Sequence, residues 1–122
     1  LFEKSDVLSI HTRLSERTHG FVNNDKLKLM KKNSFLVNTS RGPIIKENDL
    51  VKSLTDKRIR GAALDVYDIE PLPKNHILRS TQNLILTPHI GYVALESYDK
   101  FFKGYFLVIK SYLENKTINI IN

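Results

Sequence analysis

Cysteine is absent from the chain, which excludes disulfides and cysteine–zinc sites and agrees with a reducing, cytoplasmic setting. No apolar run reaches the length needed to cross a bilayer. The longest apolar-leaning stretch, residues 101–113, is interrupted by Lys103, Lys110 and Ser111. Leu1-Phe2-Glu3-Lys4 lacks the basic start and apolar stretch of a secretory signal. The first residue is Leu rather than Met, which leads to the expectation of a piece of a longer protein. Internal repeats and low-complexity linkers are also missing.

What remains is an ordinary globular composition. A chain of 122 residues, 41% hydrophobic, suffices for one domain with a single core. The net charge of +6 raises the question of a polyanion partner. Its basic residues are scattered, with Lys26, Lys28, Lys31 and Lys32 near one helix and Lys57, Arg58 and Arg60 near another. Aromatics do not interleave with them as a single-strand nucleic-acid platform requires. Solvated helix faces account for the charge, and neither a nucleic-acid nor a membrane partner is expected.

Short apolar runs alternate with helical patterns. Val7-Leu8-Ser9-Ile10 reads as a strand. Asn24 offers an N-cap, with Asp25 in the first turn and Leu27 and Met30 on one face. Phe35-Leu36-Val37 is a second strand, broken by Gly42-Pro43, after which Glu47 and Asp49 open a helix with a stripe of Leu50, Val51 and Leu54. Residues 61–66 form a third strand and Leu84-Ile85-Leu86 a fourth. Strands apolar on both faces, separated by helices, predict an α/β fold with a parallel sheet covered on both sides. From about Ala94 to Leu113 the period is helical, and the apolar girth is broad enough to expect burial on more than one side. Thr117 to Ile121 alternates polar and apolar residues like a short strand.

Ligands of parallel α/β sheets bind beyond the carboxyl ends of the strands. At those ends stand His11, Thr12 and Arg13; Asn38, Thr39, Ser40 and Arg41; Asp65, with Asp68 and Glu70 in the loop beyond; and Thr87, Pro88, His89 and Gly91. A guanidinium, a carboxylate and an imidazole therefore share one sheet edge. Taken singly, Arg41 reads equally as a turn decoration, Glu70 as a solvated loop acid and His89 as a packed turn histidine. Asp65, inside an apolar strand, must find a donor if buried. His19 and His76 lie in polar surroundings and receive no role.

Residues 34–42, S-F-L-V-N-T-S-R-G, then G-A-A-L-D-V-Y-D-I-E-P-L-P at 61–73 and T-P-H-I-G at 87–91, resemble the D-isomer-specific 2-hydroxyacid dehydrogenases. S-D-V-L-S-I-H-T-R-L at 5–14 and L-K-L-M-K-K at 27–32 agree in order and spacing. The resemblance implies the C-terminal half of a Rossmann-like parallel sheet over residues 1–93. A long helix and tail, 94–122, would lead back to a substrate domain. It implies that Arg41 grips the carboxylate and carbonyl oxygen of a 2-keto acid, that His89 donates a proton to that oxygen, and that Glu70 orients His89. Thr12, Thr39, Ser40 and the turn at Gly91 would line the nicotinamide of NAD, and Asp65 would accept from its carboxamide; NADP stays open. The implied parent is a homodimeric enzyme acting on a small 2-hydroxyacid or 2-keto acid. A related reading is an interaction protein of the C-terminal-binding-protein corepressor type, which can keep the same three residues.

The sequence departs from that family in places. Its five glycines, Gly20, Gly42, Gly61, Gly91 and Gly104, form no G-x-G-x-x-G turn. Arg13 stands where the family commonly has Pro, and Lys46 where it commonly has Asp at a helix start. In the family the strand at Val7–Ile10 pairs with an earlier strand, so here its edge is open. The chain alone is therefore predicted inactive as an enzyme and prone to associate through that edge; light scattering that finds a monomer at high concentration overturns the second expectation.

Overall fold

The computed structural model describes residues 1–119. The chain divides into two compact units, Leu1–Ile90 and Gly91–Asn122. In the first unit, strands β1 (Val7–Ile10), β2 (Phe35–Asn38), β3 (Gly61–Leu64) and β4 (Leu84–Leu86) form one parallel sheet in the order β1-β2-β3-β4. Helices α1 (Asn24–Leu29) and α2 (Glu47–Thr55) lie in the first two crossovers, and the last contains only a short 3-10 turn, Ile77–Ser80. Ile10, Asn38, Leu64 and Leu86 fall in register across the sheet. The residues after each strand therefore emerge along one edge.

The expected covering of both faces is not what the first unit has. Leu8, Ile10, Leu36, Ala62 and Leu64 point into a core with Leu27, Met30, Ile44, Leu50, Leu54 and Leu78. Their alternates are open: Val7 is 60% exposed, Phe35 40% and Ile85 68%. The cause is topological. Parallel crossovers are right-handed, and a strand order that runs monotonically in one direction puts every such crossover on the same face. Apolar residues on both faces were read correctly, but the described residues of this unit cover only one of them.

Local signals set most boundaries, with corrections. The N-cap of α1 is Asn23, not Asn24: its side-chain oxygen accepts from the Asp25 and Lys26 amides at 3.1 Å. Asn24 is the first helical residue, and its orphan N–H donates to the Asp49 carboxylate of α2 at 2.8 Å. Strand β3 stops at Leu64, two residues before the predicted end, and buried Asp65 lies just beyond it. On α2, Leu50 and Leu54 are buried as expected, Val51 is partly buried, and Ser53 completes the inner face.

The second unit, described by itself, holds helix α3 (Leu95–Leu113). Among its described helical residues only Ser111 is buried, while Leu95, Phe102, Phe106 and Tyr112 are exposed. Burial on several sides is therefore not supplied. The strand predicted over 117–121 is not formed at Thr117, Ile118 or Asn119; Ile120 and Ile121 lie outside the described residues.

Lys46 is the N-cap of α2 and makes no side-chain capping bond. A carboxylate there would satisfy an orphan amide and suit the positive end of the helix dipole. Lys46→Asp is expected to raise unfolding stability by about 1 kcal/mol in urea denaturation; an unchanged midpoint would count against the missing cap.

Candidate active site

The turn after β2 is folded by Asn38, a wholly buried amide at the end of an apolar strand. Its Nδ2 donates to the Arg41 carbonyl at 2.9 Å, and its Oδ1 accepts the Ser40 amide at 3.0 Å. This double bond holds Arg41 at the sheet edge, where its Nη1 also donates to the Ser40 carbonyl at 2.7 Å. The next residue, Gly42, packs against the Tyr67–Asp68 peptide. A Cβ on Gly42 would stand 2.1 Å from the Tyr67 carbonyl carbon, so no other residue fits without moving one of the two loops.

The loop after β3 carries the acid. Asp65 finds the donors that its burial demands: the Thr87 hydroxyl and the Ile90 amide, the latter at 2.9 Å, both donate to its Oδ1. The Tyr67 hydroxyl, 2.7 Å from the Thr87 carbonyl and 3.1 Å from that of Leu64, joins this loop to the end of β4. Burial first, then the charge of Asp65, pushes that phenol above its ordinary pKa. Glu70 turns back so that its Oε1 accepts the Tyr67 amide at 2.9 Å. Its Oε2 lies 2.6 Å from Nδ1 of His89. The Glu70–Pro71 peptide is cis.

His89 has φ of +56°, a left-handed conformation uncommon for a residue with a Cβ. Such a conformation costs about 1–3 kcal/mol and persists only where surrounding contacts impose it. Here the anchors are the Tyr67–Thr87 bond before it, the Ile90–Asp65 bond after it and Glu70 on its ring.

Electrostatics tie the three charged groups together. Burial pushes the Glu70 carboxyl up, but the hydrogen bond from His89, the Tyr67 amide and the charges of His89 and Arg41 outweigh it. The net pKa is below the ordinary carboxylate value. Glu70 is thus an ionised acceptor near neutrality, hydrogen-bonded to the His89 ring. Such a pair can hold a proton and hand it on.

Two hollows flank this edge. One, of about 550 Å³, is lined by Tyr67, Glu70, Leu72, Arg79, Thr87 and His89. The other, of about 420 Å³, is lined by His11, Thr12, Arg13, Leu14, Ser40 and Arg41, and there the Ser40 hydroxyl donates to the Thr12 carbonyl at 2.5 Å. The structure therefore brings Glu70 and His89 into a hydrogen bond, sets Arg41 within electrostatic reach of Glu70, and puts Thr12 beside Ser40. Thr39 is exposed on the same turn, and exposed Gly91 opens the second unit. Sequence reasoning placed Asn38 at the end of the second strand without giving it a role, and missed Tyr67, for which there was no signal.

A parallel sheet with a carboxylate–imidazole pair and an arginine at its carboxyl edge defines an α/β domain of the nucleotide-dependent dehydrogenase type. The comparisons agree: residues 1–91 match the family described as D-isomer specific 2-hydroxyacid dehydrogenase, NAD binding domain, and the chain belongs to it. It is 46% identical over 97 residues to a glyoxylate reductase of Thermofilum pendens, covering 80% of this chain and 29% of that protein. Among solved structures it is similar to a putative D-3-phosphoglycerate dehydrogenase from Ralstonia solanacearum, with 40% identity and a TM-score of 0.88. That alignment covers 99% of this chain and 36% of the other. A formate dehydrogenase from Staphylococcus aureus, solved with NAD, is 29% identical with a TM-score of 0.84 over 99% of this chain and 38% of its own. The chain spans about a third of the length of the curated relatives it matches.

Gly42→Ala is expected to cost about 1–3 kcal/mol or more, because two backbones must separate. Chemical denaturation checks this; an alanine tolerated without loss contradicts the close approach.

Proposed function

We propose that this chain provides the chemical part of a site that moves a hydride between NAD(H) and a small D-2-hydroxyacid or its 2-keto acid. The observation that carries the reading is the 2.6 Å bond between Glu70 and His89 Nδ1, with the charge of Arg41 acting on the same carboxylate. Arg41 binds the substrate carboxylate and the carbonyl oxygen with its planar fork. In the reducing direction the imidazolium of His89 gives its Nε2 proton to the keto oxygen as C2 accepts the hydride; in oxidation the proton returns to the ring. Glu70 stays ionised throughout, fixing the ring and stabilising its charged form.

The bound nicotinamide supplies or accepts the hydride, and the protein aligns it. Thr12, Thr39, Ser40 and Gly91 are the residues of this chain proposed to line it. Asp65 is proposed to accept from its carboxamide, as a carboxylate acceptor just beyond the end of β3. The sequence contains no G-x-G-x-x-G turn for the pyrophosphate, so this chain holds only part of a dinucleotide. For that reason the 122 residues alone are expected not to turn over. The relatives' different names, glyoxylate reductase and phosphoglycerate dehydrogenase, support a shared reaction core whose substrate choice is made outside this third of the length.

The test uses a protein that carries this chain together with the remaining length of its relatives, followed by NADH oxidation with glyoxylate. His89→Ala is expected to lower kcat roughly 10²–10⁴-fold, and Arg41→Ala to raise KM steeply while also lowering kcat. Full activity in His89→Ala, or cofactor-dependent binding of a protein partner with no turnover on any 2-keto acid, overturns the reading.

A further inference from the structure

The loop that carries Glu70 is held by two glutamates. Glu70 itself accepts the Tyr67 amide. The neighbouring amide, Asp68 N–H, donates to Oε1 of Glu47 at 3.3 Å. Glu47 is the first residue of α2, and its second oxygen, Oε2, lies 3.4 Å from Nε2 of His76. The other ring nitrogen of His76, Nδ1, accepts the Leu78 amide at 3.4 Å as the cap of the 3-10 turn. A nitrogen that accepts carries no proton, so the neutral ring has its hydrogen on Nε2, directed at Glu47.

This second pair is more enclosed than the first. The side chains of Glu47 and His76 are 13% and 23% exposed, against 34% and 39% for Glu70 and His89. Burial is the main cause that holds the Glu47 carboxyl above its ordinary pKa. The Asp68 amide opposes it, Asp68's charge adds to it, and His76 opposes it again. Asp68 is likewise pushed up by burial, against the charges of His19 and His76. An acid at the first turn of a helix is ordinarily a solvated partner of the helix dipole. Glu47 instead spends one oxygen on Asp68 and the other on His76, both in the segment between β3 and β4. With Gly42 packed on the same Tyr67–Asp68 peptide, that peptide has little freedom to slide, and Glu70 follows it by two residues.

We propose that Glu47, backed by His76, is a positioning residue: its grip on the Asp68 amide fixes the Tyr67–Asp68 peptide, and so fixes the angle at which Glu70 meets His89. The inference rests on Glu70 and His89 being a working acid–base pair. Glu47 touches no reacting atom and acts through the loop. It follows that loss of its acceptor lowers the proton affinity of His89, whereas loss of its charge alone does not.

The test is an NMR titration of the His89 ring proton in the 122-residue chain, alongside amide exchange. Glu70→Gln, the control, is expected to lower His89's proton affinity about tenfold, since it removes a charged hydrogen-bond partner. Glu47→Ala is expected to lower it by roughly threefold, and Glu47→Gln, which keeps an acceptor oxygen, to leave it unchanged. Should the alanine variant fail to fold, Glu47→Asp, one methylene short of the loop amide, carries the same expectation. In the unmodified chain the Asp68 amide must exchange slowly. No shift in Glu70→Gln overturns the acid–base reading itself. A shift in Glu70→Gln with none in Glu47→Ala or Glu47→Asp, a shift in Glu47→Gln equal to that in the alanine variant, or an Asp68 amide that exchanges as if exposed, overturns the positioning role alone.

Discussion

The Tyr67–Asp68 peptide is the point at which the site's separate pieces of chain are brought to bear on one another. Gly42 lies against it with no room for a Cβ, which sets how near the Arg41 turn comes to the β3 loop. Its own N–H and the Tyr67 amide before it are taken by two glutamates, and the Tyr67 ring reaches across to the end of β4. Remove the close approach and Arg41, Glu70 and His89 still stand on one sheet edge, but nothing holds them at a common distance. The energy of the arrangement is modest bond by bond, about 0.5–1.5 kcal/mol for a typical hydrogen bond. What the peptide contributes is geometry, and proton transfer depends on geometry at the scale of tenths of an ångström.

The sheet adds the second constraint. Parallel pairing in monotonic order aligns all four strand ends, so residues scattered from Thr12 to His89 reach one edge. The same order leaves the opposite face of the sheet bare of crossovers, with Val7, Phe35 and Ile85 exposed. Site assembly and incomplete burial are therefore two results of one topology. The chain belongs to a dehydrogenase family and spans about a third of the length of the curated relatives it matches.

Legibility followed the range of the forces involved. Periodicity located all four strands and the helices, because core-facing residues recur at the spacing of the element itself. The α1 boundary was off by one because two adjacent asparagines offer the same cap, and Asn23 is the one whose side chain accepts the Asp25 and Lys26 amides. Strand β3 was read two residues too long because apolar Val66 lies just beyond Asp65 with no turn signal between, while the chain already bends at Asp65. Among the proposed site residues, Arg41, Glu70 and His89 stood out by their places after strands, and Asp65 by its charge inside one. His76 was set aside as a polar-loop histidine and Glu47 as a helix-opening acid, since nothing nearby in sequence connects the two.

By itself, then, the sequence determined the parallel α/β class, the strand order of chemistry-bearing residues and the edge on which they gather, because these depend on local period and on chain direction. Only the tertiary structure decided the 2.6 Å pairing of Glu70 with His89, the left-handed backbone of His89, the need for glycine at 42 and the bareness of one sheet face. Each of these is set by groups far apart along the chain whose separation is fixed by packing, and packing distances are not written in any local pattern.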